Sequence, residues 1–332
     1  MAPIKSSLAR TVGRLLGISK DTDLSLRGAI QGSRYKDPPF SASGGNHTVT
    51  PGNGYKYHTF TSSGSLVVSG TGTAEILMVG GGGGTGPYGD SRAGGGGAGG
   101  LIYWNSMPLA NDTYPVTVGD GGPAATGSPG NGGNSVFGPG TPVHLVALGG
   151  GAAGAGTRGS QTNAESGGSG GGGCGFEGGT NSAPGTQTTD SGIPANSRTY
   201  GFGNAGGGEN PLNGGRGGGG AGEEGGTDDP GTPAKGQGGD GKQYPAFTGP
   251  LINLPGLAPH SGYFAGGGGG NVGGNPGPNA GLGGGGTGQQ NGDGTPGVDY
   301  TGGGGGGGGS GSPGNGTTGG KGIVVVRYLA PS

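Results

Sequence analysis

From Tyr55 onward, apolar and β-branched residues gather in short runs broken by small turn residues, the pattern of strands rather than helices. YKYHTFT (55–61), SLVVSG (65–70) and TAEILMVG (73–80) come first, separated by Ser-Ser-Gly and Gly-Thr-Gly turns. LIYWN (101–105), TYPVTVG (113–119), NSVFG (134–138) and PVHLVALG (142–149) follow. Pro115 has no amide to donate, which confines its strand to an edge or the proline to a strand's beginning. The last run, KGIVVVRYL (321–329), contains the most strand-prone stretch of the chain. A lone terminal strand cannot stand alone. Its natural partners are the runs at 55–148, foremost TAEILMV at 73–79. The expected fold is therefore mainly β and antiparallel, closed by the chain's last strand.

A different period governs the N-terminus. Ile4, Leu8, Val12, Leu15 and Leu16 fall near one face of a helix, with Lys5, Arg10 and Arg14 elsewhere and Gly17 as a stop. So short a helix cannot hold itself folded in water and needs a partner surface. Residues 1–36 are read as a docking arm. A transit peptide is the alternative, since the segment through Lys20 is basic and free of acids. Residues 37–54, with Pro38, Pro39 and Pro51, read as a linker.

Composition changes the picture between 149 and 322. Glycine makes up 103 of 332 residues and occurs in pure runs, among them Gly80–Gly84, Gly94–Gly97, Gly170–Gly173, Gly217–Gly220, Gly266–Gly270 and Gly302–Gly309. Such a tract is either disordered or packed backbone against backbone. Extended helices of three residues per turn have no internal hydrogen bonds, so their amides and carbonyls can pair with neighbours. Three features favour packing. The tract is an insertion, tethered at Gly149 and Gly322. Aliphatic strands run straight into glycine in AEILMVGGGGG, HLVALGGG and GGGGAGGLIYW. The charged fraction, 10%, is low for a disordered chain.

Chemistry adds little. A net charge of −2 argues against nucleic-acid partners, and no apolar stretch is long enough for membrane insertion. Cys174 is the single cysteine and reads as a small buried apolar group. GGDGKQ (238–243) resembles a phosphate loop but carries Gln243 where Ser or Thr would hold magnesium. His47, His58, His144 and His260 have no metal-ligand spacing, and Asp293 and Asp299 lack a calcium-repeat context. No catalytic residues, metal site or cofactor are expected, and the chain is not read as an enzyme.

The order of blocks, FTSSGSLVVSGTGTAEILMVGGGGG, GAGGLIYW, YPVTVGDGG, NSVFG, HLVALGGG and GKGIVVVRY, resembles the glycine-rich domain of bacteriophage tail fibres and adhesins over about residues 55–329. The arm IKSSLARTVGRLLG…DLSLRG is similar to the N-terminal segment of structural proteins of marine, cyanophage-like phages. The resemblance implies a β-sandwich frame carrying polyglycine-II helices and a role in virion attachment. It implies partners among other virion proteins, reached through the arm.

The inserts 174–203 and 242–264 hold Phe176, Tyr200, Phe202, Tyr244, Phe247, Tyr263 and Phe264, with His260 beside them. Two readings stand: aromatic caps on the glycine bundle, or a tip whose rings stack on a host surface glycan. Weak single sites would act through several copies, so a homo-oligomer is expected. A capsid decoration or head fibre remains open, as does an ice-binding or extracellular-matrix glycine protein.

Overall fold

A computed structural model describes residues 40–86, 92–125, 128–157, 160–175, 181–187, 200–208, 214–227, 235–271, 279–290, 292–309 and 316–330. The expected arm, with Ile4, Leu8, Val12, Leu15 and Leu16, lies outside the described residues, as does Phe176.

In chain order the strands are β1 (Ser41–Ser43), β2 (His47–Val49), β3 (Tyr55–Phe60), β4 (Gly64–Ser69), β5 (Gly72–Val79), β6 (Leu101–Leu109), β7 (Asp112–Thr117), β8 (Ser135–Phe137) and β9 (Leu145–Ala147). Short pieces follow as β10 (Ala155–Thr157), β11 (Ser160–Thr162), β12 (Tyr200–Phe202), β13 (Lys242–Gln243) and β14 (Tyr263–Phe264), and β15 (Ile323–Leu329) ends the set. Two antiparallel sheets dominate, ordered β1-β4-β7-β8-β9 and β12-β6-β5-β15-β3-β2.

The sheets share one core. Leu66, Val68, Tyr114, Val116 and Phe137 from the first meet Ile76, Met78, Trp104, Val324 and Val326 from the second. The six-stranded sheet is also covered on its other face, where Leu77, Val79, Leu101, Ile323 and Val325 join a second cluster. Burial on both faces explains why IVVV reads as an unbroken apolar run instead of an alternation.

β15 lies between β5 and β3, in register Ile323↔Val79 through Arg327↔Glu75 on one side and Val324↔Phe60 through Leu329↔Tyr55 on the other. The pairing of 323–327 with 75–79 falls within the one expected from sequence, 323–328 with 73–79.

Two expectations are corrected. Residues 41–49, read as linker, form edge strands: β1 pairs with β4 and β2 with β3. Tyr328 holds β1 in place, its hydroxyl accepting from the Ala42 amide at 2.9 Å. The second correction concerns Pro115, which is not on an edge strand, because β7 lies between β4 and β8. Pairing with β8 begins only at Val116↔Phe137, and the Pro115 carbonyl accepts from Gly138 past the end of that ladder. In an extended residue the amide and carbonyl point the same way, so the proline's missing donor faces the place where β8 has stopped.

The glycine runs leave one end of this frame, where Val79, Leu101 and Ile323 are register partners. Their hydrogen bonds repeat every third residue. In the run 80–85, Gly80 and Gly83 donate to Gly100 and Gly97, Gly81 and Gly84 to Gly133 and Gly130, and Gly82 and Thr85 to Gly320 and Thr317.

The run 93–100 is an axis. Ala93, Gly96 and Gly99 donate to Gly308, Gly305 and Gly302, while Gly94, Gly97 and Gly100 donate to Gly154, Gly151 and Leu148. Gly95 and Ala98 donate to Arg216 and Gly219. Its carbonyls accept from three other runs, through Gly80 and Gly83, Ser169 and Gly172, and Gly268 and Asn271. The six surrounding runs also bond to one another in a closed ring, for example Gly150 to Gly81, Gly151 to Ser169, Gly219 to Gly170, Gly218 to Gly268, Gly304 to Gly266 and Gly305 to Gly83. The glycines here have no room for a side chain. A Cβ on Gly96 would enter the space of the Gly83 carbonyl oxygen, and one on Gly304 that of the Gly96 carbonyl.

This packing fixes the sign of a substitution. Gly96→Ala, Gly304→Ala and Gly306→Ala should each destabilise the protein by about 1–3 kcal/mol, the range for overpacking a close-packed interior. Gly256 is exposed with no atom near its virtual Cβ, so Gly256→Ala should be neutral or stabilising by up to about 1 kcal/mol through the unfolded chain. Melting temperatures of the four variants check this. A rise for the lattice variants would mean that the runs are not packed.

A second test uses His58, fully buried on β3 with Nδ1 at 2.8 Å from the Gly44 carbonyl and its ring stacked on Tyr328. Burial lowers its pKa below the ordinary 6.5, Lys56 adds to the effect, and the Gly44 hydrogen bond opposes it. The unfolded chain therefore binds a proton that the folded one refuses. The stability due to neutral His58 is complete above about pH 6.5 and falls as pH drops toward the folded pKa. His58→Gln should lose less melting temperature than the wild type between about pH 7.5 and about pH 4.5. Equal losses would refute it.

Candidate functional site

The insert 242–264 is built on a two-residue ladder, Lys242↔Phe264 and Gln243↔Tyr263. Proline at the first positions starts two 3-10 turns, Pro245–Phe247 and Pro255–His260. The second ends at Ser261 in the left-handed region (φ 50°), whose amide returns to the Ala258 carbonyl.

The insert lies over the outer face of the six-stranded sheet. Phe247 (0% exposed), Ile252, Leu257 and Phe264 (2%) pack with Tyr57, Leu77, Leu101 and Val325. Two side chains of β3 bind its backbone: the Tyr57 hydroxyl donates to the Ala246 carbonyl at 3.1 Å and Thr59 Oγ1 to the Ile252 carbonyl at 3.0 Å. The insert is thus a cap on the sheet.

Beneath the cap sits a polar cluster dictated by strand register. Arg327 is the cross-strand partner of Glu75 on β5 and of Tyr57 on β3. Its guanidinium donates to both Glu75 carboxylate oxygens at 2.8 Å and to the Tyr57 hydroxyl at 3.0 Å. The Tyr103 hydroxyl donates to the same carboxylate at 2.8 Å. The guanidinium lies over the Tyr55 ring at 4.2 Å and the Phe247 ring at 5.0 Å. Burial, then the bond to Glu75, pushes the Tyr103 hydroxyl pKa well up; burial, then Tyr103, does the same for Tyr244. Both phenols stay protonated, and that of Tyr103 donates to Glu75. The Glu75 carboxylate, the two terminal nitrogens of Arg327 and the Tyr57 and Tyr103 hydroxyls are all engaged within the cluster or with the cap, which suits a structural tie.

The expected site residues divide accordingly. Phe247 and Phe264 are core and offer no face to a ligand. Tyr244 is half-buried against Tyr103, with ring centroids 4.7 Å apart. Tyr263 and His260 are half-buried, and burial lowers the His260 pKa. Phe202 lies on β12 with Lys242 Nζ 4.1 Å from its ring centre. Tyr200 pairs with Ile102 on β6 through the backbone. Cys174 is buried within the glycine region.

Sequence reasoning missed the cluster of Glu75, Arg327, Tyr57 and Tyr103. The one available signal was a charged residue in each of two long apolar strands. Among the described residues, no group of three or more His, Cys, Asp or Glu is placed to hold a metal, and no helix is long and apolar enough to cross a membrane.

With this geometry in place, comparison defines the class. The chain belongs to the glycine-rich domain family, whose family model matches residues 59–329. No curated protein matches it.

The division between core and surface is testable by substitution. Phe247→Ala should cost about 3–5 kcal/mol, as for a buried aromatic, whereas Tyr263→Ala should cost under about 1 kcal/mol. Denaturant titration of the two variants measures both. Equal small costs would mean that the cap is not part of the core.

Proposed function

We propose that this chain is a structural component of a bacteriophage virion, a tail-fibre or adhesin-type part that contributes to host attachment. The observation carrying the reading is the three-residue repeat of hydrogen bonds around the run 93–100, which we interpret as packed polyglycine-II helices. Such a bundle is stiff, nearly free of side chains, and tied at one end to a β-sandwich. It suits a protein that holds surfaces apart and presents loops better than one that turns over a substrate. The order of sequence blocks supports the same reading; the family match over residues 59–329 supports the glycine-rich domain alone. The basic N-terminal segment is proposed as the link to other virion proteins.

Host recognition, on this reading, uses side chains that keep some surface: Tyr244, His260 and Tyr263 on the cap, with Phe202 beside it. The cap's rigidity lowers the ordering cost of binding.

Deleting residues 1–36 should leave the β-glycine domain with an unchanged melting temperature yet absent from purified particles, as judged by immunolabelling. Tyr263→Ala with His260→Ala should reduce adsorption to host cells while particle assembly continues. Normal incorporation of the shortened chain would remove the arm from the proposal. Thermal hysteresis in place of adsorption would point to an ice-binding protein.

A further inference from the structure

The turn between β2 and β3 holds a chemically reactive pair, Asn53 and Gly54. Four more Asn-Gly sequences occur in the chain, at 131–132, 213–214, 291–292 and 315–316. Asparagine is labile, because the backbone nitrogen of the next residue can attack its side-chain carbonyl carbon. Glycine in that next place has no side chain to obstruct the approach. Asn53 and Asn131 are described, whereas Asn213, Asn291 and Asn315 lie outside the described residues. The surroundings of the two described pairs are opposite.

At Asn131 the following amide, that of Gly132, donates to the Gly150 carbonyl at 2.9 Å. The side chain is bonded as well, to the Ala152 amide at 2.7 Å and the Ser166 carbonyl at 3.4 Å. Attack there has to break the glycine lattice first. At Asn53 the following amide is free: Gly54 is exposed and its N–H has no partner among the described residues. No atom lies within 4 Å of its virtual Cβ. The Asn53 side chain, in contrast, is held from both ends. Oδ1 accepts from the Tyr55 amide at 3.1 Å, and Nδ2 donates to the Tyr57 hydroxyl at 2.9 Å. The same hydroxyl accepts from Arg327 at 3.0 Å.

We infer that Asn53 is a self-modification site, at which the folded protein converts the side-chain amide to a carboxylate through a cyclic imide. The Gly54 nitrogen gives its proton to hydroxide and bonds to Cγ of Asn53. The negative charge that gathers on Oδ1 faces the Tyr55 N–H, a donor already in place. Nδ2 is then an amine and takes a proton from the Tyr57 hydroxyl. The Cγ–Nδ2 bond breaks and ammonia leaves. Arg327 steadies the phenolate until water returns the proton and hydroxide is restored. Water then opens the imide at either carbonyl, leaving aspartate or isoaspartate at position 53. One water is consumed, one ammonia is released, and nothing is oxidised or reduced. The product can only accept hydrogen bonds, so it competes with the Ala246 carbonyl for the Tyr57 proton that anchors the cap. The inference does not depend on the virion reading.

Peptide mapping by mass spectrometry tests it on the full-length chain, held at neutral pH and physiological temperature, folded or in denaturant. In denaturant the Asn-Gly pairs have lost their neighbours and should convert at one common rate. In the folded chain Asn131 should convert at least about tenfold more slowly than that rate, since its neighbour's amide is bonded. Asn53 should convert faster folded than unfolded, which only its surroundings can bring about. Tyr57→Phe should slow conversion at position 53 at least about tenfold, the lower end for loss of a proton donor, and leave position 131 unchanged. A folded rate at Asn53 equal to or below the unfolded rate overturns the inference. So does a rate at position 53 that Tyr57→Phe leaves unchanged or raises in a chain that is still folded. If that variant melts below the incubation temperature, the comparison of folded and denatured wild type still decides.

Discussion

The hydrogen bond between separate glycine runs is the interaction on which the rest of the molecule depends. A buried amide without a partner costs about 1–3 kcal/mol, and a run that makes no ladder with itself must find carbonyls elsewhere. Around the run 93–100 they are supplied in three directions, repeating every third residue. That arrangement brings backbones so close that a methyl group would occupy the place of a neighbour's carbonyl oxygen. Glycine content is thus the consequence of a packing geometry, and the entropy lost by ordering it is offset by bonds that no larger residue could make.

The lattice could not begin by itself. Register is inherited from the sandwich, because β5 and β9 pass into glycine at the end where β6 and β15 emerge from it. Side chains repair the boundary where a neighbouring run is missing. The Ser135 hydroxyl donates to the Val79 carbonyl and accepts from the Gly119 amide. Asn134, Asn131 and Gln187 accept from the amides of Gly149, Ala152 and Leu148. Ala98, Ala221 and Ala265 join the apolar cluster under the cap. Their methyl groups grade the side-chain core into the bare backbone.

Much of the frame was legible because it obeys local rules. The runs at 55–61, 65–70, 73–80 and 321–329 are β-branched and bounded by turn residues, and each forms a strand. The failures have physical causes. SAS and HTV in β1 and β2 are too short and polar to show a period; long-range partners such as Tyr328 hold them. Pro115 was judged by its own strand, whereas the length of the neighbouring β8 decides whether a missing donor matters. The order of runs around 93–100 was invisible, since identical glycine runs carry no information about which neighbour each prefers. For the candidate site, the insert 242–264 stood out by its aromatics, but a pattern of Phe and Tyr without period does not say which face is buried, so cap and exposed tip could not be told apart from sequence.

The buried ion pair under the cap shows how position is fixed where apolar packing alone would allow sliding. Arg327 and Glu75 are 12% and 15% exposed, and removing one partner of such a pair leaves an uncompensated charge at a cost of several kcal/mol. The Tyr57 hydroxyl accepts from one arm of the guanidinium and donates to the Ala246 carbonyl, so the charge on β15 is joined to the cap's backbone through one phenol. Apolar contacts between Phe247, Leu257 and the sheet supply most of the attraction, but they are indifferent to small shifts. The directional chain of carboxylate, guanidinium, phenol and carbonyl is not. It ties the last strand, the middle of the sheet and the cap into one unit, and whatever the half-exposed Tyr244, His260 and Tyr263 contact, they meet it from a fixed position.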